Sequence, residues 1–140
     1  MNTTKFIIGT LVGGIAFFFL GFLIYGIALE SFFTQHAGSA TGLQKTMDDM
    51  QWWALIVGNL ASAALLSYIF LKWANIKSFG EGASAGAVIG FFIALSYDMV
   101  SYATTNMMDI TACLTDVVVG TVMTAIGGGI IGTVLGMGKS

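Results

Sequence analysis

Four long apolar stretches dominate the hydropathy pattern of the chain. They run from about Phe6 to Leu29, Trp52 to Ala74, Gly82 to Thr104 and Ile110 to Met137. Each is long enough to cross a hydrocarbon core, which needs about 20 helical residues. Because backbone groups in lipid must pair within their own segment, solid apolar runs predict helices, whereas a membrane β-barrel needs alternating residues. We therefore expect an all-α fold, an integral membrane four-helix bundle, built as one transmembrane domain over residues 1–140.

Composition supports a membrane location. Hydrophobic residues make up 56% of the chain and charged residues only 9%, compared with about a quarter in a typical soluble domain. The basic residues are too few for a basic patch, which excludes nucleic-acid binding. A single cysteine, Cys113, excludes an internal disulfide, and a single histidine, His36, excludes a multi-histidine metal cage. The first stretch has no small-x-small cleavage site, so we expect it to be a retained span.

The lysines predict the orientation. With four crossings, four lysines fall on one side and one on the other: Lys5, Lys72, Lys77 and Lys139 against Lys45. Since cytoplasmic loops carry the excess of positive charge, we expect both termini in the cytoplasm and a multi-pass protein of the cell (inner) membrane. The Asn75–Gly80 connection then lies inside, and the Glu30–Gln51 and Thr105–Asp109 connections lie outside.

Small residues recur every four positions on the last two spans. The third span carries Gly82, Gly86, Gly90 and Ala94, and the fourth carries Gly120, Thr124, Gly128, Gly132 and Gly136. Residues four apart share a helix face. Because helices in lipid associate through close packing of small residues, these stripes predict helix packing, either within the chain or between subunits.

Each stripe leads to an aspartate at its outer end, Asp98 on the third span and Asp116 on the fourth. At 1.5 Å per residue, both lie roughly 6–8 Å below the outer boundary, so antiparallel packing brings them together. An ionised carboxylate in a membrane is costly unless paired or hydrated, and no intramembrane lysine is available. We therefore expect a shared proton, a bound cation or a water-filled vestibule. The alternative is that the two acids only hold helices together. Further polar groups are expected near this level: Tyr25, Glu30, Asn59, Ser96, Tyr97 and Ser101.

Other chemistry has weaker support. Thioether, imidazole and thiol groups suit Cu(I), and several cluster on the predicted outer side: His36, Met47, Met50, Met99, Met107, Met108 and Cys113. Their spacing matches no metal motif. We find no sequence motif for a nucleophile–base pair, a phosphate-cradling loop or a histidine–carboxylate cluster, so we do not expect an enzyme.

The last two spans carry a recurring pattern: Tyr97–Asp98, then Ala103–Thr104, then Asp116 followed by Gly120. In this pattern they resemble a group of uncharacterised small bacterial membrane proteins. Met107–Met108 stand where that group often has Trp-Pro, and Val119 replaces a tryptophan. The resemblance covers residues from Phe79 onward; it implies four spans and draws attention to the two aspartates, and it implies no substrate.

These observations lead to three hypotheses about function. The first is a small transporter or channel that moves a proton, a cation or a small solute and acts as an oligomer, because four short helices rarely enclose a pathway alone. The second is a structural or accessory membrane subunit that binds a partner protein through its glycine-rich helix faces. The third is a soft-metal (copper) binder on the outer face.

Overall fold

The computed structural model describes residues 1–40, 45 and 47–138, so Lys139 lies outside the described residues. The described residues form five α-helices: α1 (Thr3–Gly21), α2 (Glu30–Gln35), α3 (Trp52–Ile69), α4 (Phe79–Thr104) and α5 (Ile110–Leu135). Helix α1 continues as a π-helical segment, Phe22–Ala28, and α3 as another, Phe70–Ala74. Within the described ranges, four helices are long and apolar enough to cross a membrane. The predicted all-α, four-span membrane fold is therefore confirmed.

Local capping explains where the last two spans begin. The Ser78 hydroxyl accepts a hydrogen bond from the Glu81 amide, which starts α4 at Phe79, three residues before the predicted beginning of that span. The Asp109 carboxylate accepts from the Ala112 amide and starts α5 in the same way. Both are preferred N-cap residues because their side chains satisfy an otherwise unpaired amide. The turn before α4 begins at Asn75, which has a φ of 51°. Asparagine tolerates this left-handed backbone conformation.

Helices α4 and α5 form the closest pair in the bundle. Their glycine stripes face each other so closely that backbone meets backbone. A Cβ atom on Gly82 would collide with the carbonyl of Gly128, and one on Gly86 with the carbonyl of Thr124. The two glycine faces therefore cover one another within a single chain, and Gly132 extends this contact to the carbonyl of Ser78.

Helix α1 packs on α3 and α5 through a shorter small-residue face that the sequence analysis missed. A Cβ on Gly9 would lie 2.7 Å from Ser67 Oγ, and one on Gly13 would lie 2.6 Å from Ile131. The spacing of these two glycines is the G-x-x-x-G pattern, a known signal for close approach of membrane helices. Close approach at glycines therefore joins α1 to α3 and α5 as well as α4 to α5.

A compact apolar core closes the half of the bundle where α1 begins and α5 ends, here called the termini end. It joins α1, α3, α5 and the turn before α4, and consists of Phe17, Ala63, Leu66, Phe70, Ile76, Ile131 and Leu135. The bundle's outer surface is also apolar: Ile15, Trp73, Phe92 and Val118 are all more than half exposed. Such a surface is suited to lipid.

The opposite end, here called the loop end, is covered by two connections that pair with each other. The amide of Gly38 donates to the Met107 carbonyl at 3.1 Å, and the amide of Asp109 donates to the His36 carbonyl at 2.9 Å. Ala37 and Met108 form an antiparallel bridge between them. The first connection also contains helix α2, which the hydropathy pattern did not predict.

Candidate functional site

The two aspartates singled out by the stripes lie side by side between α4 and α5. Both side chains line the same two cavities. Asp98 is only 1% exposed, and its Oδ2 atom has no hydrogen-bond partner among the described residues. Asp116 is half-buried, and its Oδ1 accepts a 2.6 Å hydrogen bond from the hydroxyl of Tyr25. Three polar side chains from three spans therefore converge at one place.

Local structure explains this convergence. Asp98 follows Ala94 by one step of the α4 stripe, where a Cβ added to Gly120 would lie only 3.1 Å from the Ala94 side chain. The close seating of α4 on α5 therefore continues up to the acid pair. Tyr25 belongs to the π-helical segment at the end of the first span, and π-helical turns occur frequently at functional sites.

The acid pair separates two cavities. A deep cavity of about 330 Å³ extends towards the middle of the bundle, as far as Phe17 and Thr124. A second, loop-end cavity of about 520 Å³ lies beneath the paired connections and is lined by Glu30, Phe33 and Met107 among others. Four residues line both cavities: Tyr25, Tyr97, Asp98 and Asp116. Anything that passed from one cavity to the other would meet the carboxyl groups.

The described residues that line the two cavities offer the acids no compensating positive charge. There is no lysine, arginine or histidine among them. Two carboxylates at this range cannot both be ionised without a counter-charge or water. The arrangement can therefore hold one shared proton, bind a cation, or keep both groups hydrated from the loop-end cavity.

The other predicted polar residues have different positions. Asn59 lines the deep cavity, but its amide donates to the Leu55 carbonyl of its own helix at 2.9 Å. Glu30 is the first residue of α2 and lines the loop-end cavity. Tyr97 is 66% exposed and stands at the edge of both cavities. Ser96 and Ser101 are not among the described residues that line either one.

A second polar pair at the loop end was missed by the sequence analysis. His36 Nδ1 lies 2.9 Å from Asp109 Oδ2, and the His36 ring packs on Phe32. The backbone hydrogen bond from Ala112, followed by the one from His36, lowers the pKa of the Asp109 carboxyl. An aspartate directly before an apolar run is a helix-start signal, so its capping role was readable, whereas its histidine partner was not.

The side chains considered for copper binding lie in different parts of the structure and have different partners. Cys113 is fully buried, its thiol donates to the Asp98 carbonyl at 3.4 Å, and its sulfur lies 3.8 Å from that of Met99. His36 is paired with Asp109 instead. Across the ranges that the structure describes, no group of three or more histidine, cysteine, aspartate or glutamate residues could hold a metal ion.

Comparison with models of known protein families assigns the chain to a family. The model of a family described as predicted membrane protein, DUF2177, matches residues 6–133. The chain belongs to the DUF2177 family. The resemblance to an uncharacterised membrane protein family is thereby confirmed, and it extends beyond the last two spans to all four. Comparisons with curated proteins and with solved structures give no match. Membership in DUF2177 establishes a membrane protein and specifies no activity.

Proposed function

We propose that this DUF2177 protein is a small membrane carrier that moves a proton or a small cation by way of Asp98 and Asp116. One observation carries the proposal: Asp98 is almost completely buried, lies where two cavities meet, and has a carboxylate oxygen without a hydrogen-bond partner in the described part of the chain. Ionisable residues within membrane spans commonly mark ion pathways, because burial there is costly without a functional return.

The chemistry of the pair suits an exchange of proton for cation. Without a cation, a single proton shared between Asp98 and Asp116 relieves the repulsion of two carboxylates. A monovalent cation that reached the pair would bind the free oxygen of Asp98, and the shared proton would leave into the loop-end cavity. The charge in the site is then unchanged by the exchange. Tyr25 would keep Asp116 oriented through its hydrogen bond.

Closure at the termini end favours a carrier over an open channel. The apolar core that contains Phe17, Leu66 and Leu135 lies between the deep cavity and the termini. Passage to the other side would require this core to open, as in alternating access. We place the loop end outside, as the lysine distribution predicts, and we expect an oligomer.

Transport by proteoliposomes with a trapped pH dye tests the proposal. We expect an imposed proton or potassium gradient to change the internal pH, and Asp98→Asn to reduce this change to that of protein-free vesicles. Asp48→Asn is the matched control, because Asp48 is an exposed aspartate in the loop before α3.

Asp116→Asn and Tyr25→Phe report on the rest of the site. Asp116→Asn should abolish transport as Asp98→Asn does, and Tyr25→Phe should slow it. If Asp98→Asn folds as the natural chain does and transports equally well, the acids act only as contacts between helices and the proposal fails. The helical circular-dichroism signal and the size-exclusion profile of each variant, compared with those of the natural chain, show whether it folds.

A further inference from the structure

Helices α3 and α4 leave a cleft between them. They are joined by a short turn, yet α3 packs on α1 while α4 packs on α5, and the two share almost no contact along their length. The deep cavity fills this cleft, with Ser62 and Leu65 on one wall and Ile89 and Ile93 on the other. The cleft is thus a gap between two helix pairs.

The cleft opens towards the lipid. Three residues that line the deep cavity are also strongly exposed on the apolar surface: Leu65 at 47%, Ile93 at 54% and Tyr97 at 66%. A compound dissolved in the bilayer could enter sideways between α3 and α4. The volume of about 330 Å³ lies within the roughly 300–1,000 Å³ typical of pockets for small organic ligands.

The chemistry of the walls selects the kind of ligand. Apolar side chains line most of the cleft, which suits a hydrophobic body rather than a bare metal ion. At its loop-end limit stands Asp98, with a free oxygen and no positive side chain nearby among the described lining residues. The rings of Tyr25 and Tyr97 flank the same place, and aromatic faces attract organic cations.

We propose that the α3–α4 cleft binds an amphipathic organic cation, with its hydrophobic body between the helices and its charged nitrogen or phosphonium group beside Asp98. This inference rests on the proposed function, since it names the class of cation that the Asp98–Asp116 site takes. The ligand enters from the bilayer, so the loop-end cavity serves the proton that it displaces.

Binding of radiolabelled tetraphenylphosphonium to the full chain in lipid nanodiscs tests this. Tetraphenylborate, an anion of the same shape, is the control for charge, and empty nanodiscs give the background. We expect saturable binding of the phosphonium only, and its loss in Asp98→Asn. Equal saturable binding of the borate would overturn the proposal, because the site would then recognise shape without charge.

A cleft-filling variant tests whether the ligand binds between α3 and α4. Ser62→Phe should abolish phosphonium binding, because the added ring occupies the space next to the Ser62 wall of the cleft. Ala61→Phe is the matched control, because Ala61 is exposed on the same helix and does not line the cavity. If Ser62→Phe does not fold, Ser62→Leu should show a partial loss of binding.

Other combinations of results would also decide whether the cleft proposal and the carrier proposal stand. Flux that depends on Asp98 without any phosphonium binding would overturn the cleft proposal and leave the carrier proposal standing. Absence of both flux and binding would overturn both. Native mass spectrometry that finds a phospholipid or a second copy of the chain released by Ser62→Phe, but not by Ala61→Phe, would show that the cleft has a different occupant and overturn the inference.

Discussion

The hydroxyl of Tyr25 donates a 2.6 Å hydrogen bond to Oδ1 of Asp116, a residue 91 positions further along the chain. This bond ties the π-helical end of the first span to α5 at the level of the acid pair. Like the contact of the Cys113 thiol with the Asp98 carbonyl, it is a polar contact between two spans.

Removing that bond should destabilise the bundle measurably. We expect Tyr25→Phe to lower the free energy of unfolding by about 0.6–2 kcal/mol, the range for hydrogen bonds between membrane helices. Unfolding by denaturing detergent measures it. A double-mutant cycle with Asp116→Ala, which removes the acceptor, should show coupling, and Tyr102→Phe, at an exposed tyrosine of α4, should change little. A purely additive cycle would contradict the hydrogen bond.

The glycine contact between α4 and α5 predicts a sharp contrast between glycines. Gly86→Ala should destabilise the protein by about 1–3 kcal/mol, as overpacking does, because the added Cβ meets the Thr124 carbonyl. Gly58→Ala is the matched control: nothing lies within 4 Å of its added Cβ, and alanine is the better helix residue by about 0.5–1 kcal/mol. Equal effects at both positions would refute the close packing. Gly128→Leu should disrupt the packing of α4 against α5.

Ser67 offers a stabilising substitution. Its side chain is fully buried, and its hydroxyl has no hydrogen-bond partner within the part of the chain that the structure describes. Because an unsatisfied buried hydroxyl is costly, Ser67→Ala should leave the unfolding free energy unchanged or raise it by about 1 kcal/mol. Ser67→Val should lower it instead, since Gly9 approaches closely at this point. The same detergent titration distinguishes the two, and a clear loss in Ser67→Ala would reveal a bond that the hydroxyl makes.

The His36–Asp109 pair predicts an acid-sensitive loop end. The pKa of Asp109 is lowered in the folded protein, first by the Ala112 amide and then by His36. A lowered pKa contributes stability that is present above the unfolded value and is lost as pH falls through the folded one. Thermal unfolding of the natural chain should therefore approach that of Asp109→Ala as the solution becomes strongly acidic.

The variant Asp109→Asn isolates the contribution of the negative charge of Asp109. Asparagine is also a good N-cap residue, so Asp109→Asn should keep the start of α5 and lose only the attraction to His36. Its unfolding temperature should vary less with acid pH than that of the natural chain, with Asp48→Asn as the control at an exposed loop aspartate. An Asp109→Asn variant with an unchanged acid dependence would assign that dependence to other carboxyl groups.

Several features of this protein were readable from the sequence because they depend on one segment at a time. The length and apolar character of a run decide whether it can span a bilayer, and this was enough for the four spans. The period-four stripes on α4 and α5 were readable for the same reason, and they led to Asp98 and Asp116. The Gly9–Gly13 pattern on α1 was equally local and could have been found.

Tertiary structure alone decided the rest. Which helices pair, how far α3 stands from α4, and whether Tyr25 reaches Asp116 all depend on faces brought together from distant parts of the chain. The pairing of His36 with Asp109 likewise depends on two connections that meet at the loop end. A cavity is the space that packing leaves unfilled, so it belongs to no single segment. Hydropathy is a sum along one helix, whereas the site is set by distances between helices.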